Sequence, residues 1–461
     1  MKFILKSVNI IVSLILVFSV QTLFGQSSTI TISDEYPQYW EYNGEPTVLL
    51  GGSVEDNLFQ IEEITKELKL LQYVGGNYVR NTMSSRDEGN VWPFAKNGDG
   101  NYNLNQWNQE YWRRFENFLK ETSKRDIIVQ IEIWATFDFY RDNWDVNPYN
   151  PKNNVNYGVQ RSKLPLKVDS HPVYTENNFF RSVPSKMNLA PVLWYQKLFV
   201  DKILSYSLDY GNVLYCMDNE TSVTSDWGKF WANYIQKQAK LQGKTVQTTE
   251  MWDAHDLSHP MHFETFDNPE IFTFVDISQN NHQSGQNHWD NGLKQIEYLK
   301  SMGYLRPVNN VKIYGDDEGR HQTTRNAIES FIRNVLFGSA SARFHRPTSG
   351  QGLNQIAQNT IRSMRNVIDE TDFYNAQPHN DLLSDRSENE AFCRAIPGEE
   401  YIVYFPNGGE VTLDTAGMSG RKEVRWLLVL HSKWAETERV RVGGDVQLRP
   451  PDDGHWIALI Q

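Results

Sequence analysis

Cysteine is nearly absent: 461 residues hold only Cys216 and Cys393, far apart in the chain. That excludes a disulfide framework and any cysteine-built metal centre. Positive charge is also short, with 45 Lys and Arg against 57 Asp and Glu and a formal net charge of -12. A nucleic-acid or anionic-membrane partner needs clustered cations, so neither is expected. No phosphate-cradling glycine loop follows the first strand-like run, where Gly51 and Gly52 lead into Ser53, Val54 and Glu55, so a dinucleotide is not expected. His282 and His345 have no neighbour at metal-ligand spacing, and neither metal nor cofactor is expected. The apolar run Val8 to Phe24 follows Met1, Lys2 and Lys6 and precedes the small residues Gly25, Ser27 and Ser28. It is short for a membrane span and charged on one flank only, so residues 1–26 read as a cleavable signal peptide without a lipid-anchor cysteine. A secreted or periplasmic protein follows.

What is present is aromatic surface. Trp, Tyr and Phe make up 13% of the chain, with 14 Trp and 22 Tyr, which suits stacking on sugar rings as well as core packing. Removing the leader leaves roughly 435 residues, more than one ordinary core accommodates. Residues 27–375 alternate strand and helix patterns: strands at Pro46–Gly51, Asn77–Thr82, Ile127–Thr136, Val213–Met217, Thr245–Trp252, Ile271–Ile277, Val311–Tyr314 and Ser341–Phe344, each followed by a helix or loop. Eight such units predict an α/β fold, a (β/α)8 barrel. A polar, aromatic insertion from Phe137 to Pro184 marks a functional rim. Residues 385–461 change to short alternating segments separated by turns such as Pro406-Asn407-Gly408-Gly409, which predicts a small antiparallel β-sandwich. Oligomeric state is not legible; a monomer is consistent with the pattern.

Barrels of this kind carry their chemistry at the C-terminal ends of the strands. There the sequence places Arg80 and Asn81, Glu132 and Trp134, Asp218-Asn219-Glu220, Glu250 with Trp252 and Asp253, Gln279 with His282, Asp316-Asp317-Glu318, and His345-Arg346. Cleaving a glycosidic bond needs two carboxyl groups flanking it, one to protonate the leaving oxygen and one to attack the anomeric carbon or activate water. Strands four and seven supply acidic groups in the right places. Within the strand-seven triplet, alternation puts Asp317 in phase with Val311 and Ile313 and favours Asp317 facing inward. Trp134, Trp144, Trp252 and Trp289 are candidate sugar-stacking rings.

Asn219-Glu220 ending strand four resembles the Asn-Glu pair of the clan A glycoside hydrolases, retaining barrel enzymes with a nucleophilic Glu after strand seven. The resemblance implies Glu220 as acid/base, Glu318 as nucleophile ahead of Asp317, Asn219 on the hydroxyl beside the anomeric centre, and Arg80 as the arginine orienting the nucleophile. Trp134, Trp252, His282 and Asp317 complete the expected substrate contacts. Phe344-His345-Arg346-Pro347 stands where many clan members carry a Trp, so sugar specificity does not transfer. The tail, with Tyr401–Pro406, Val411–Asp414, Trp426 and Trp456–Leu459, resembles the apiosidase-type glycoside hydrolase family 140, whose barrel is joined to a collagen-binding-like β-sandwich. The reading is a glycosidase acting on a plant or algal polysaccharide; the alternative is a carbohydrate-binding protein on a barrel scaffold. An anionic nucleophile nearby predicts a raised Glu220 pKa, and retention predicts carboxyl groups about 5 to 5.5 Å apart.

Overall fold

The computed structural model describes residues 29–170, 176–318 and 322–461. The expected signal peptide lies outside them. Eight strands run in chain order: β1 (Leu49–Gly52), β2 (Tyr78–Thr82), β3 (Ile128–Ala135), β4 (Val213–Asn219), β5 (Gln247–Thr249), β6 (Val275–Asp276), β7 (Val308–Asn309) and β8 (Ser341–Phe344). Six form one parallel sheet in the order β5-β4-β3-β2-β1-β8, and β6 pairs with β7, also in parallel. Backbone bonds continue between the two sheets, from Ala340 N to Val308 O at 2.7 Å and from His345 N to Ile313 O at 3.0 Å. Residues of β2, β3 and β4 are buried on both faces, as parallel strands covered by helices require.

The helices form where the apolar spacing predicts them. The helix Gln109–Ser123 starts on Asn108, whose side chain accepts from Glu110 N, and buries Trp112, Phe115 and Leu119 along one stripe. The helix Thr324–Phe337 begins with a reciprocal cap between Thr323 and Asn326. The helix Pro260–Phe266 and the hairpin Phe94–Lys96 with Tyr102–Trp107 were not legible in the pattern.

The seventh strand differs from expectation. Its regular pairing is at Val308–Asn309, and the predicted segment Val311–Tyr314 meets β8 through an isolated bridge from Ile313 to Phe344 and through Arg343 Nη1, which donates to Val311 O at 2.8 Å. Asn310 explains the break. Its Oδ1 accepts from Lys312 N, and its own N–H donates to Ser341 Oγ, so side chains replace ladder partners there.

Two antiparallel sheets follow. One runs through Gln377–Pro378, Phe392–Ile396, Glu400–Phe405, Trp456–Ile460, Arg421–Leu428 and Lys433–Trp434, with Glu438–Arg441 beside Arg421–Leu428; the other joins Leu383–Ser384, Val411–Asp414 and Asp445–Leu448. Period-two alternation splits their side chains. Tyr401, Val403 and Phe405 enter a core shared with Leu413 and Leu448 of the smaller sheet. Ile402, Tyr404, Ile457 and Leu459 face the other way, into the main core formed with the strand-and-helix part. Arg394 crosses the seam and donates to Leu336 O, Phe373 O and Tyr39 Oη.

Candidate active site

The C-terminal strand ends converge on a buried network of charge. Arg80 on β2 is fully buried; its Nε donates to Glu132 Oε1 at 2.5 Å and its Nη1 to Asp56 Oδ1 at 2.6 Å. Burial alone would raise the Asp56 carboxyl, but Arg80, His345 and Arg86 hold it well below the usual carboxylate range. Burial also pushes the His345 imidazole down to about 4, and its Nδ1 lies 2.5 Å from Ser349 Oγ. His345 is therefore neutral at pH 7.

Glu220 sits at the centre, one residue past the end of β4. Its backbone takes a left-handed conformation, φ 48°, a strained state for a non-glycine residue that persists only when its surroundings fix it. They do. Thr136 Oγ1 donates to Asn219 O at 2.8 Å, Thr221 N donates to Met251 O at 2.8 Å, and Asp253 N donates to Thr221 O at 2.9 Å. The turn aims the Glu220 carboxylate at strand seven, where Lys312 Nζ donates to Oε1 at 2.8 Å and Tyr314 Oη donates to the same oxygen at 2.9 Å. Gln279 Nε2, after β6, lies 3.5 Å from it. Lys312 also donates to Asn219 Oδ1 at 2.5 Å and is itself buried.

This setting reverses the expected ionisation of Glu220. Burial works to raise its pKa, yet Lys312, Tyr314 and the more distant Arg80 outweigh burial and bring it down to about 2. The expectation of a raised value assumed a facing anion; a cation occupies that side instead. Burial lowers the Lys312 ammonium, with Glu220 and Glu132 pulling it back up, and the arrangement is that of an ion pair.

The strand-seven triplet does not follow alternation. Lys312 and Tyr314 point to Glu220, so the phase carrying Val311 and Ile313 faces away, and Gly315, at φ 132°, ends the regular run. Asp317 is exposed, and its carboxylate accepts from Thr324 N at 2.8 Å and from the Thr324 hydroxyl, where it caps the helix Thr324–Phe337. The inward orientation inferred for Asp317 is thereby corrected. Glu318 is exposed too, with its N–H donating to Asp316 Oδ1 at 2.9 Å.

Two expected sugar platforms are core residues. Trp134 is 1% exposed and packs against Phe179, Phe199, Trp227 and Trp231. Trp252 is 2% exposed, with its indole N–H donating to Thr265 Oγ1 at 2.7 Å on the helix behind β5. Both side chains lie between strand and helix, which removes their faces from the cleft. Trp144 and Trp289 are buried as well. The exposed rim instead carries His282, whose ring stacks on His255 at 3.6 Å and approaches Tyr314.

Lys312 and Tyr314 were missed at the level of sequence. The signal was there: a lysine between Val311 and Ile313 in an apolar strand is costly unless an anion meets it.

Behind this site lies a second acidic pair. Glu250 Oε1 accepts from Asp218 N at 2.9 Å and Met251 N at 3.1 Å, and both carboxyls are fully buried. Burial drives each pKa well above the usual range, and for Glu250 the neighbouring Asp218 adds to the rise. A proton is retained between them.

No protein-family model and no curated protein matches the sequence. Solved structures do match in shape. A glycoside hydrolase is 14% identical, covering 94% of this chain and 97% of its own, with a TM-score of 0.64. A glycoside hydrolase family 5 protein from Bacteroides vulgatus is 13% identical over 94% and 93% of the two chains, TM-score 0.64. A family 5 mannosidase from Rhizomucor miehei is 11% identical over 74% of this chain and 97% of its own, TM-score 0.50. At such identities the likeness concerns shape: this chain is folded as these glycoside hydrolases are.

Proposed function

We propose that the protein is a retaining glycoside hydrolase, secreted or periplasmic, acting on a plant or algal polysaccharide. The observation that carries this reading is a single one: a carboxylate, Glu220, fixed by a strained turn at the end of β4 among Asn219, Lys312, Tyr314 and Arg80. The strand order and the bonds linking β7 to β8 support a closed (β/α)8 barrel over residues 27–375. The two antiparallel sheets sharing a core support a C-terminal β-sandwich over 385–461, the part resembling the apiosidase-type family. Glu220 and Glu318 are the two carboxyl groups of a double displacement. Asn219 and Arg80 hold the site, and His282 and the rim beside it meet the sugar.

The test is a panel of plant and algal polysaccharides, with the released product and its first-formed anomer identified. Retention of configuration is expected. Glu220→Gln should lower kcat on the order of 10^4-fold, and Glu318→Gln comparably, with thermal stability recorded alongside. One observation favours the alternative, a sugar-binding protein: the side of Glu220 where a second carboxylate is expected is filled by Lys312. Glycan binding without release of reducing ends, unchanged in Glu220→Gln, identifies that case.

A further inference from the structure

Glu220 sits where two neighbouring strands fall out of step. β4 and β5 pair in parallel at Leu214–Cys216 with Gln247–Thr249, and contact resumes at a bridge from Thr221 to Trp252. Between those points four residues, Met217 to Glu220, lie opposite two, Glu250 and Met251. On its other side β4 keeps its partner, Asp218 pairing with Trp134 and Asn219 with Ala135 of β3. The surplus is therefore thrown toward β5, as in a β-bulge, and it ends in the left-handed turn at Glu220.

A side chain occupies the gap. The Asp218 amide points across it and meets Glu250 Oε1 at 2.9 Å instead of a strand carbonyl, and Met251 N donates to the same oxygen at 3.1 Å. Both carboxyl side chains are fully buried, so without this acceptor the Asp218 N–H would be a buried, unpaired donor two residues before Glu220. The packing leaves the carboxyl no slack. A Cβ on Gly228, in the helix Ser225–Leu241, would collide with Glu250 Oε2, so the glycine supplies the room that this side chain fills.

We propose that Glu250 is a positioning residue for Glu220: its carboxyl bridges the gap between β4 and β5, and by holding the Asp218 amide it sets where the Glu220 side chain points. The proposal rests on the glycosidase reading and leaves Glu220 as the acid/base. Glu250 is buried and meets no sugar; it acts through the backbone of Asp218, Asn219 and Glu220. Because the Asp218 and Glu250 pair retains a proton, a glutamine can stand in for Glu250, with an acceptor at one position and hydrogens at the other. A methionine of similar length offers no such acceptor.

Backbone amide exchange in the full chain, followed by mass spectrometry, reads the turn without a substrate. Peptides covering residues 217–221 should exchange at least about 10-fold faster in Glu250→Met than in the native chain, and within about 3-fold of it in Glu250→Gln. On a polysaccharide of the panel that is cleaved, kcat should fall about 100-fold in Glu250→Met with KM within a few-fold, and recover in Glu250→Gln. Gly228→Ala keeps both carboxyls and forces Glu250 to move; it should speed the same exchange and lower kcat about 10-fold, and it decides the matter where Glu250→Met does not fold. Unchanged exchange, unchanged kcat, or an equal loss in Glu250→Gln each overturns the proposal. If the native chain cleaves nothing in the panel, the glycosidase reading falls, and the exchange rates still decide whether Glu250 holds the turn.

Discussion

Asp218 and Glu220 lie two residues apart, both withdrawn from water, and ionise in opposite directions. Glu220 meets Lys312 and Tyr314 and stays a carboxylate down to about 2. Asp218 meets another carboxyl, Glu250, with Trp227 beside it, and burial keeps a proton in the pair. Asp218 is fully buried and the Glu220 side chain 13% exposed, yet burial pushes both carboxyls upward, so burial does not decide the sign. What decides it is whether a cation shares the site.

The largest expected effect comes from removing a cation on the ionised side. Arg80→Leu strands Glu132 and leaves Asp56 to Arg86 and Arg346, and should lower unfolding stability by about 4 kcal/mol in urea at pH 7. A loss under 1 kcal/mol would mean that the buried charges find other partners, and the contrast would fail.

Next in size is the pH dependence of stability, where the two sites have opposite signs. Glu220 has a folded pKa below its unfolded one, so its contribution, up to roughly 3 kcal/mol, is full above about pH 4.5 and is lost as pH falls toward 2. Glu250 and Asp218 have folded pKa values above their unfolded ones. The folded chain then binds a proton the unfolded chain releases, and stability declines as pH rises from about 4. Melting temperatures between pH 2 and 9 should show Glu250→Gln gaining on the native chain as pH rises above about 4, and Glu220→Gln losing to it as pH rises from about 2 to about 5. Parallel curves for all three proteins would erase the distinction.

The smallest effect separates neighbours at strand seven. Asp317→Ala should cost about 1 kcal/mol through the lost cap on the helix Thr324–Phe337 and leave kcat within a few-fold. A loss of activity as large as that of Glu318→Gln would return Asp317 to the reaction.

Much of the architecture was legible because helix and strand periods differ. Asn219 and Glu220 stood out because they end a strand. Trp134 and Trp252 did not sort themselves. Trp134 shares its phase with Gln130 and Glu132, yet every residue of that strand is buried and Trp134 packs against Phe179, Phe199, Trp227 and Trp231, so phase alone did not separate cleft from core. Alternation failed beyond Tyr314 because it presumes a continuous strand, and the positive φ of Gly315 ends that continuity. Lys312 was hidden for a different reason: its partner lies 92 positions earlier, and only the fold brings Glu220 to it.

The two faces of the larger C-terminal sheet have a consequence for how the molecule can be divided. One face looks inward to its own core and the other is an extension of the main core, stitched by Arg394 to the backbone carbonyls of Leu336 and Phe373. A chain ending before Gln377 would leave the apolar surfaces beneath Phe392, Ile402, Tyr404, Ile457 and Leu459 open to water. The tail is thus a buttress rather than a tethered accessory, and removing it would unroof the helices it leans on.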